Sequence, residues 1–242
     1  MICDFMPVSV VDFPGNVAAT VFVSGCNFRC PYCHNSSIIG SKSGFSGRTS
    51  VLPKSPSEEV INYLKRRKKL IDGVCITGGE PTLWRGLKEF ITEIKTLGLK
   101  VKLDTNGSRP DVLKELIQEE LIDYVAMDIK APICKYRLFT LDERDILNVQ
   151  KSAEVILLYG TPNGKIIYEF RTTVHEKILE PNDFVLIGEW LSGASKYVLQ
   201  GYRYSPEVLD VNFCGTKPCD IYFLNRAKTV LSKYFKEVSI RS

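Results

Sequence analysis

Three of the chain's eight cysteines fall within one short stretch, Cys26-Asn27-Phe28-Arg29-Cys30-Pro31-Tyr32-Cys33. The spacing Cys-x3-Cys-x2-Cys lets three thiolates turn toward one centre. Thiolates are soft ligands, suited to zinc or to iron–sulfur clusters. A structural zinc site closes with four ligands, whereas this loop supplies three. His34 directly follows Cys33, which is poor placement for binding the same ion. Three cysteines on a four-iron cluster leave one iron open to a reactant. Two plainer readings stand beside that one: a zinc knuckle completed by a distant cysteine, and unrelated buried thiols.

Further polar groups recur down the chain as Thr77-Gly78-Gly79-Glu80-Pro81, Asp104-Thr105-Asn106-Gly107, Asp128-Ile129-Lys130, Arg171 to His175, and Gln200. Glycines at 78 and 79 let backbone approach a ligand with no Cβ in the way, or simply form a turn. Asn-Gly is a turn signal, and Thr105 or Ser108 is placed to cap a helix. Asp128 with Lys130 also reads as a surface ion pair of little worth, and a lone histidine is more often structural than catalytic. Their shared position is more telling than any single member. Each group follows or ends a stretch that reads as a strand.

Those stretches are Val17–Val23, Val74–Thr77, Lys100–Asp104, Ile122–Asp128, Lys165–Val174 and Tyr197–Gln200. Helical patterns lie between them. Ser55-Pro56-Ser57-Glu58 opens one with a capping serine, proline in the first turn and a glutamate three residues on. Leu87, Phe90, Ile91, Ile94 and Leu97 recur at helical spacing, with Gly98 as the stop. Others are expected near 110–120, 142–152, 181–191 and 220–235. Strand–helix alternation implies a parallel sheet with helices outside it. Six units are too few for an eight-stranded barrel, so the expected architecture is α/β, a partial (β/α)6 TIM-like barrel. In barrels the carboxyl rim of the strands is where sites are built. Ser36–Ser57, rich in Ser, Gly and Pro, is expected to be a loop excursion.

Composition narrows the class. With 44% hydrophobic and 25% charged residues the chain is globular and not disordered. Its 242 residues suit one domain, with a core over about 16–200 and a C-terminal extension over about 201–242. A net charge of +4 does not announce a nucleic-acid partner. No run reaches the length of a membrane helix, and Asp4 and Asp12 break the N-terminal apolar stretch. The expected location is the cytoplasm, where clustered reduced thiols point to metal or catalysis. Cys75 reads as a small buried hydrophobe. Cys214 and Cys219 read as structural thiols, a second metal half-site or a partner contact. The basic run Lys65–Lys69 reads as a solvated helix end. Trp84 and Trp190 read as packing residues.

The triplet, with aromatic Tyr32 before its last cysteine, followed by Gly78-Gly79-Glu80-Pro81, resembles the radical S-adenosylmethionine (radical SAM) superfamily. The resemblance implies a [4Fe-4S] cluster on Cys26, Cys30 and Cys33, and S-adenosyl-L-methionine as second cofactor. It implies that the Gly78–Glu80 turn binds the amino group of that cofactor, with Glu80 either touching it or shaping the turn. Asp104 and Lys130 are then expected at its ribose and carboxylate, with Tyr32, Asn106 and His175 as further contacts. Asp104 and Asp128 would place two negative charges near that carboxylate. Such crowding needs protonation or a bridging cation, so a monovalent cation on the two carboxylates is a further expectation.

Asp12-Phe13-Pro14-Gly15, the segment Gly25–Asn35, Leu103–Gly107 and Met127–Pro132 together resemble glycyl-radical-enzyme activating proteins, above all those of anaerobic ribonucleoside-triphosphate reductase. The implied partners are that reductase and a one-electron donor such as a flavodoxin or ferredoxin. Reduced cluster would cleave S-adenosylmethionine to methionine and a 5′-deoxyadenosyl radical, which takes a hydrogen from a backbone glycine of the partner. Rival readings are a pyruvate formate-lyase activating enzyme, a radical SAM enzyme acting on a small molecule as in deazapurine synthesis, and a zinc-binding adaptor without catalysis.

Overall fold

The computed structural model describes residues 1–39, 56–160, 164–205 and 208–241. Its frame is one eight-stranded sheet whose spatial order follows the chain: β1 (Ile2–Ser9), β2 (Ala18–Val23), β3 (Gly73–Gly78), β4 (Lys100–Thr105), β5 (Tyr124–Asp128), β6 (Ile167–Val174), β7 (Lys196–Gly201) and β8 (Glu237–Arg241). β1 pairs antiparallel with β2, and every later pair is parallel. The six expected strands are β2 to β7. The sequence reading missed both edges. β1 exposes Met6 and Val8, and β8 is only five residues long with no fully buried position, so neither carries a clean alternation. The stretch expected as an extension thus returns to the sheet through β8.

Parallel neighbours require crossovers, and helices supply them: α1 (Ser36–Ile39) and α2 (Pro56–Arg67) after β2, α3 (Leu87–Thr96), α4 (Pro110–Gln118), α5 (Glu143–Tyr159), α6 (Pro181–Trp190) and α7 (Ile221–Leu231). The expected capping Ser55 and most of the Ser36–Ser57 excursion lie outside the described residues. α3 buries Leu87, Phe90, Ile91 and Ile94 along one stripe, the helical period read from sequence. Pro110 and Pro181 sit in the first turns of α4 and α6, where a missing N–H costs nothing. Asp142 caps α5 by accepting from the Arg144 amide at 2.9 Å. No described helix is long and apolar enough to cross a membrane.

Inside the curved sheet the side chains form layers. The floor is a small apolar cluster of Phe13, Ala18, Tyr124 and Ala126, with Phe13 edge-on to Tyr124 at 5.9 Å between ring centres. Above it lies Glu169, fully buried. Glu169 accepts from the Tyr124 hydroxyl at 2.8 Å and from both terminal nitrogens of Arg241 at 3.0 Å. The last described strand is therefore tied to the interior by a two-pronged ion pair.

Arg241→Met would leave Glu169 buried with only a tyrosine. Breaking such a pair costs several kcal/mol, but Arg241 is itself partly in water, so the expected loss is about 1–3 kcal/mol. Urea denaturation measures it. Glu169→Gln combined with Arg241→Met should recover part of the loss, since no uncompensated charge remains.

Candidate functional site

The cysteine loop leaves the carboxyl end of β2 and is held there by backbone contacts. Gly79 N donates to Val23 O at 2.7 Å, and Glu80 N donates to Gly25 O at 2.8 Å. The turn after β3 therefore lies directly against the stem of the loop. A Cβ on Gly78 would sit 2.4 Å from Val23 backbone, and one on Gly79 would sit 2.0 Å from Gly25 O. Gly78 also has φ +122°. The approach of two backbones thus requires glycine at both positions, and both also line the cavity. Arg29 braces the loop from outside, its guanidinium donating to the Cys26 and Phe28 carbonyls at 2.6 and 2.9 Å.

Cys26, Cys30 and Cys33 line one cavity of about 190 Å³, and no other cysteine lines it. Gly78, Gly79, Asp104, Asn106, Asp128 and Lys130 share the same wall. Among the described residues no three Cys, His, Asp or Glu side chains are gathered closely enough to hold a single metal ion. Burial raises the Cys26 and Cys30 thiols to about 11, and nearby Lys130 opposes the rise at Cys30. Burial raises Cys33 as well.

Along the cavity wall runs a chain of five charges from β4, the end of β5 and β6, all but Lys102 lining the cavity. Lys102 Nζ pairs with Asp104 Oδ1, and Arg171 Nη1 lies 3.1 Å from Asp104 Oδ2. Arg171 Nε pairs with Asp128 Oδ1, and Lys130 Nζ lies 2.9 Å from Asp128 Oδ2. Burial alone would raise both carboxyls. Arg171 with Lys102 outweighs it at Asp104, and Arg171 with Lys130 outweighs it at Asp128, so both lie below the usual carboxylate range. Burial opposes the Lys130 charge, yet Asp128 holds its pKa well above the ordinary value. The Asp128–Lys130 pair is thus an interior one and not the surface pair that sequence also allowed. Within this chain of pairs three cations alternate with two anions, and Glu80, paired with no cation among the described residues, adds its field at Cys26.

Arg171 was not singled out as a site residue from sequence. Its signal was there in β6, where Glu169, Arg171 and Thr173 alternate with Tyr168, Phe170, Thr172 and Val174. Period two puts all three on the inner face. The register then sets Arg171 beside Asp128.

Two expected cofactor contacts turn elsewhere. Glu80 is fully buried and does not line the cavity. Its Oε1 accepts from the Thr82 amide and from the Thr82 and Thr105 hydroxyls, and its Oε2 accepts from the Asn106 amide at 2.6 Å. Of the two roles open to it, the geometry favours shaping the turn, because it clamps the ends of β3 and β4 together. His175 also lies off the cavity. Its Nδ1 accepts from the Lys177 amide at 3.2 Å, and its Nε2 lies 3.0 Å from Thr216 Oγ1. Tyr32, Tyr202 and Phe213 pack around the ring.

Asn106 does line the cavity. Its amide nitrogen lies 3.0 Å from Asn27 Oδ1 and 3.7 Å from Cys26 Sγ, so it also steadies the first cysteine. Tyr32 is buried on the same wall, and its hydroxyl is the one buried side-chain polar atom among the described residues with no partner. Cys214 and Cys219 stand apart from the triplet. Cys219 opens on a separate hollow behind His175, and burial together with Glu176 raises its thiol to about 12. Cys75 is buried as expected, and its Sγ accepts from Lys102 Nζ at 3.6 Å, so it is not a purely apolar residue.

A parallel α/β barrel with three cysteines at its carboxyl rim defines a recognisable class, and the profile of the radical SAM superfamily matches residues 20–156. The chain belongs to that superfamily, whose members use an iron–sulfur cluster and S-adenosylmethionine. It is 30% identical over 244 residues to a Methanocaldococcus jannaschii protein provisionally named a glycyl-radical enzyme activating enzyme, an alignment spanning 100% of this chain and 96% of that one. It is 36% identical over 133 residues to 7-carboxy-7-deazaguanine synthase of Methanopyrus kandleri, covering 50% of this chain and 52% of the other. Pyruvate formate-lyase-activating enzyme of Listeria monocytogenes is 32% identical over 126 residues, 50% of this chain and 49% of its own. The fold is shared with QueE from Escherichia coli, at a TM-score of 0.53 and 14% identity over 100% of this chain and 93% of that one.

Burial, helped by Lys177, holds His175 below the ordinary histidine value. Protonation would set a new Nδ1 proton against the Lys177 amide. The unfolded chain therefore takes up this proton first, and stability falls as pH drops below about 6.5, levelling off below the folded value. Thermal midpoints measured from pH 7 to 5 should show the fall. His175→Phe should flatten that segment, and an unchanged slope would mean that the imidazole titrates freely in the fold.

Proposed function

We propose that this chain is a glycyl-radical-enzyme activase acting on an anaerobic ribonucleoside-triphosphate reductase, in the cytoplasm, with a flavodoxin or ferredoxin as electron donor. The carrying observation is the cavity itself, where three cysteines and Lys130 meet at the strand ends. The end-to-end similarity to the M. jannaschii protein supports the activase class. The resemblance of Asp12–Gly15, the cysteine loop and Met127–Pro132 to reductase activators supports the partner.

The residues present fit the implied groups. Cys26, Cys30 and Cys33 would hold a [4Fe-4S] cluster at three corners, since the cavity offers no fourth thiol. The charge at Lys130 suits the carboxylate of S-adenosylmethionine. The backbone of the Gly78-Gly79 turn lies beside the cysteines to receive its amino group. Glu80 and His175 are left out as direct contacts because their polar atoms serve the turn and the His175 loop. When bound, the cluster supplies the electron that cleaves S-adenosylmethionine and starts hydrogen abstraction from a glycine. The chain's own part is to orient that cofactor and to keep water from the reacting centre. Lys130 fixes the carboxylate end, the glycine turn fixes the amino end, and the apolar floor closes the barrel below.

A second reading follows from the alignment with 7-carboxy-7-deazaguanine synthase, which covers 50% of this chain. In that reading the same cavity serves a small molecule.

Protein reconstituted with iron and sulfide without air should turn brown and, once reduced, release 5′-deoxyadenosine. Cys30→Ser should abolish release, and Lys130→Met should raise the dissociation constant for S-adenosylmethionine roughly tenfold or more. Electron paramagnetic resonance after mixing with the reductase should show a glycyl doublet. A doublet only with pyruvate formate-lyase would reassign the partner. Turnover of a small molecule with no protein radical would favour the second reading, and one tightly bound zinc with no cleavage would end both.

A further inference from the structure

The two carboxylates expected to share a monovalent cation already share a residue of the chain. Arg171 reaches Asp104 with Nη1 and Asp128 with Nε. The outer oxygen of each carboxylate faces a lysine, Lys102 on Asp104 and Lys130 on Asp128. All four oxygens are thus occupied by cationic donors. The charge count points the same way. The five groups already carry an excess of +1, and a sodium or potassium ion would raise it to +2 before any anionic ligand arrived. A buried charge without a counter-charge is costly. The planar fork of a guanidinium presents separate, fixed donors to two carboxylates at once.

We propose that Arg171 is a built-in counter-cation: it takes the place of a bound monovalent ion between Asp104 and Asp128 and, through Asp128, positions Lys130 at the cavity. The chain is then indifferent to which monovalent cation surrounds it. The second half of this statement rests on reading the cavity as the S-adenosylmethionine site. The first half concerns only the interior of the barrel.

The test uses the iron–sulfur-loaded protein in sodium, potassium and tetramethylammonium chloride at one ionic strength, the last cation being too bulky for the gap. Thermal midpoint and S-adenosylmethionine affinity by equilibrium dialysis are read in each salt. For the unaltered chain both should be the same in all three. Arg171→Gln should weaken binding roughly tenfold or more in tetramethylammonium and regain part of it in sodium or potassium. Should that variant fold poorly, Asp104→Asn with Arg171→Gln removes one carboxylate along with the cation, and its response to salt identity should again be flat. An unaltered chain whose midpoint or affinity needs sodium or potassium would overturn the proposal. So would a folded Arg171→Gln that binds equally well in every salt. If the unaltered chain binds no S-adenosylmethionine in any salt, the reading of the cavity fails, while the midpoints still decide the role of Arg171.

Discussion

An ion removed from water must meet its counter-charge within the protein, and the interior of this barrel is arranged around that requirement. Lys102, Asp104, Arg171, Asp128 and Lys130 come from β4, β5 and β6, and each anion lies between two cations. Such a chain contributes little net stability, because desolvation offsets most of the attraction. Its effect is on geometry. Moving any strand by one residue would turn these side chains to the outer face and strand their partners. Register, charge and the position of Lys130 are therefore one problem with one solution.

The upper rim obeys a second constraint, one of space. The cysteine loop can lie against the β3 turn only because positions 78 and 79 have no Cβ. Glu80 then locks the turn to β4 through Thr105 and Asn106, and the Asn106 side chain reaches back to Asn27 and Cys26. A buried carboxylate accepting from several donors is expensive to disturb. The order of the chain thus becomes a closed path in space: loop, glycine turn, glutamate, asparagine and loop again. The cysteines are placed by that path before any ligand arrives.

Much of this was legible in the sequence. The inner six strands and their helices follow from period and punctuation, because each inner strand is buried on both faces and each helix on one. The edges were not legible. β1 and β8 have half-solvated positions, so burial writes no pattern into them. The cavity-lining residues at strand ends were legible as a set, since all follow apolar runs. Their individual roles were not. Glu80 could have faced a ligand or the protein, and only the proximity of Thr105 and Asn106, some 25 residues on, decides between them. His175 likewise depends on Thr216, 41 residues away. Arg171 stood in plain view within β6, but a charge on a strand reveals its partner only once the neighbouring registers are known.

The thiols and the lysine also explain each other. Burial keeps Cys26 and Cys30 protonated near neutral pH, so the thiols add no negative charge to the rim and the carboxylate facing Lys130 is that of Asp128. Iron can bind only by displacing those protons, and the thiolates so created lie within the field of Lys130. The cluster and the carboxylate of its co-ligand would then draw on one positive charge, held at a fixed depth by Asp128 and Arg171. Were that charge absent, the loop would have to gather thiolates in an apolar pocket with nothing to offset them. Were a second one present, the pocket would carry an unmet cation.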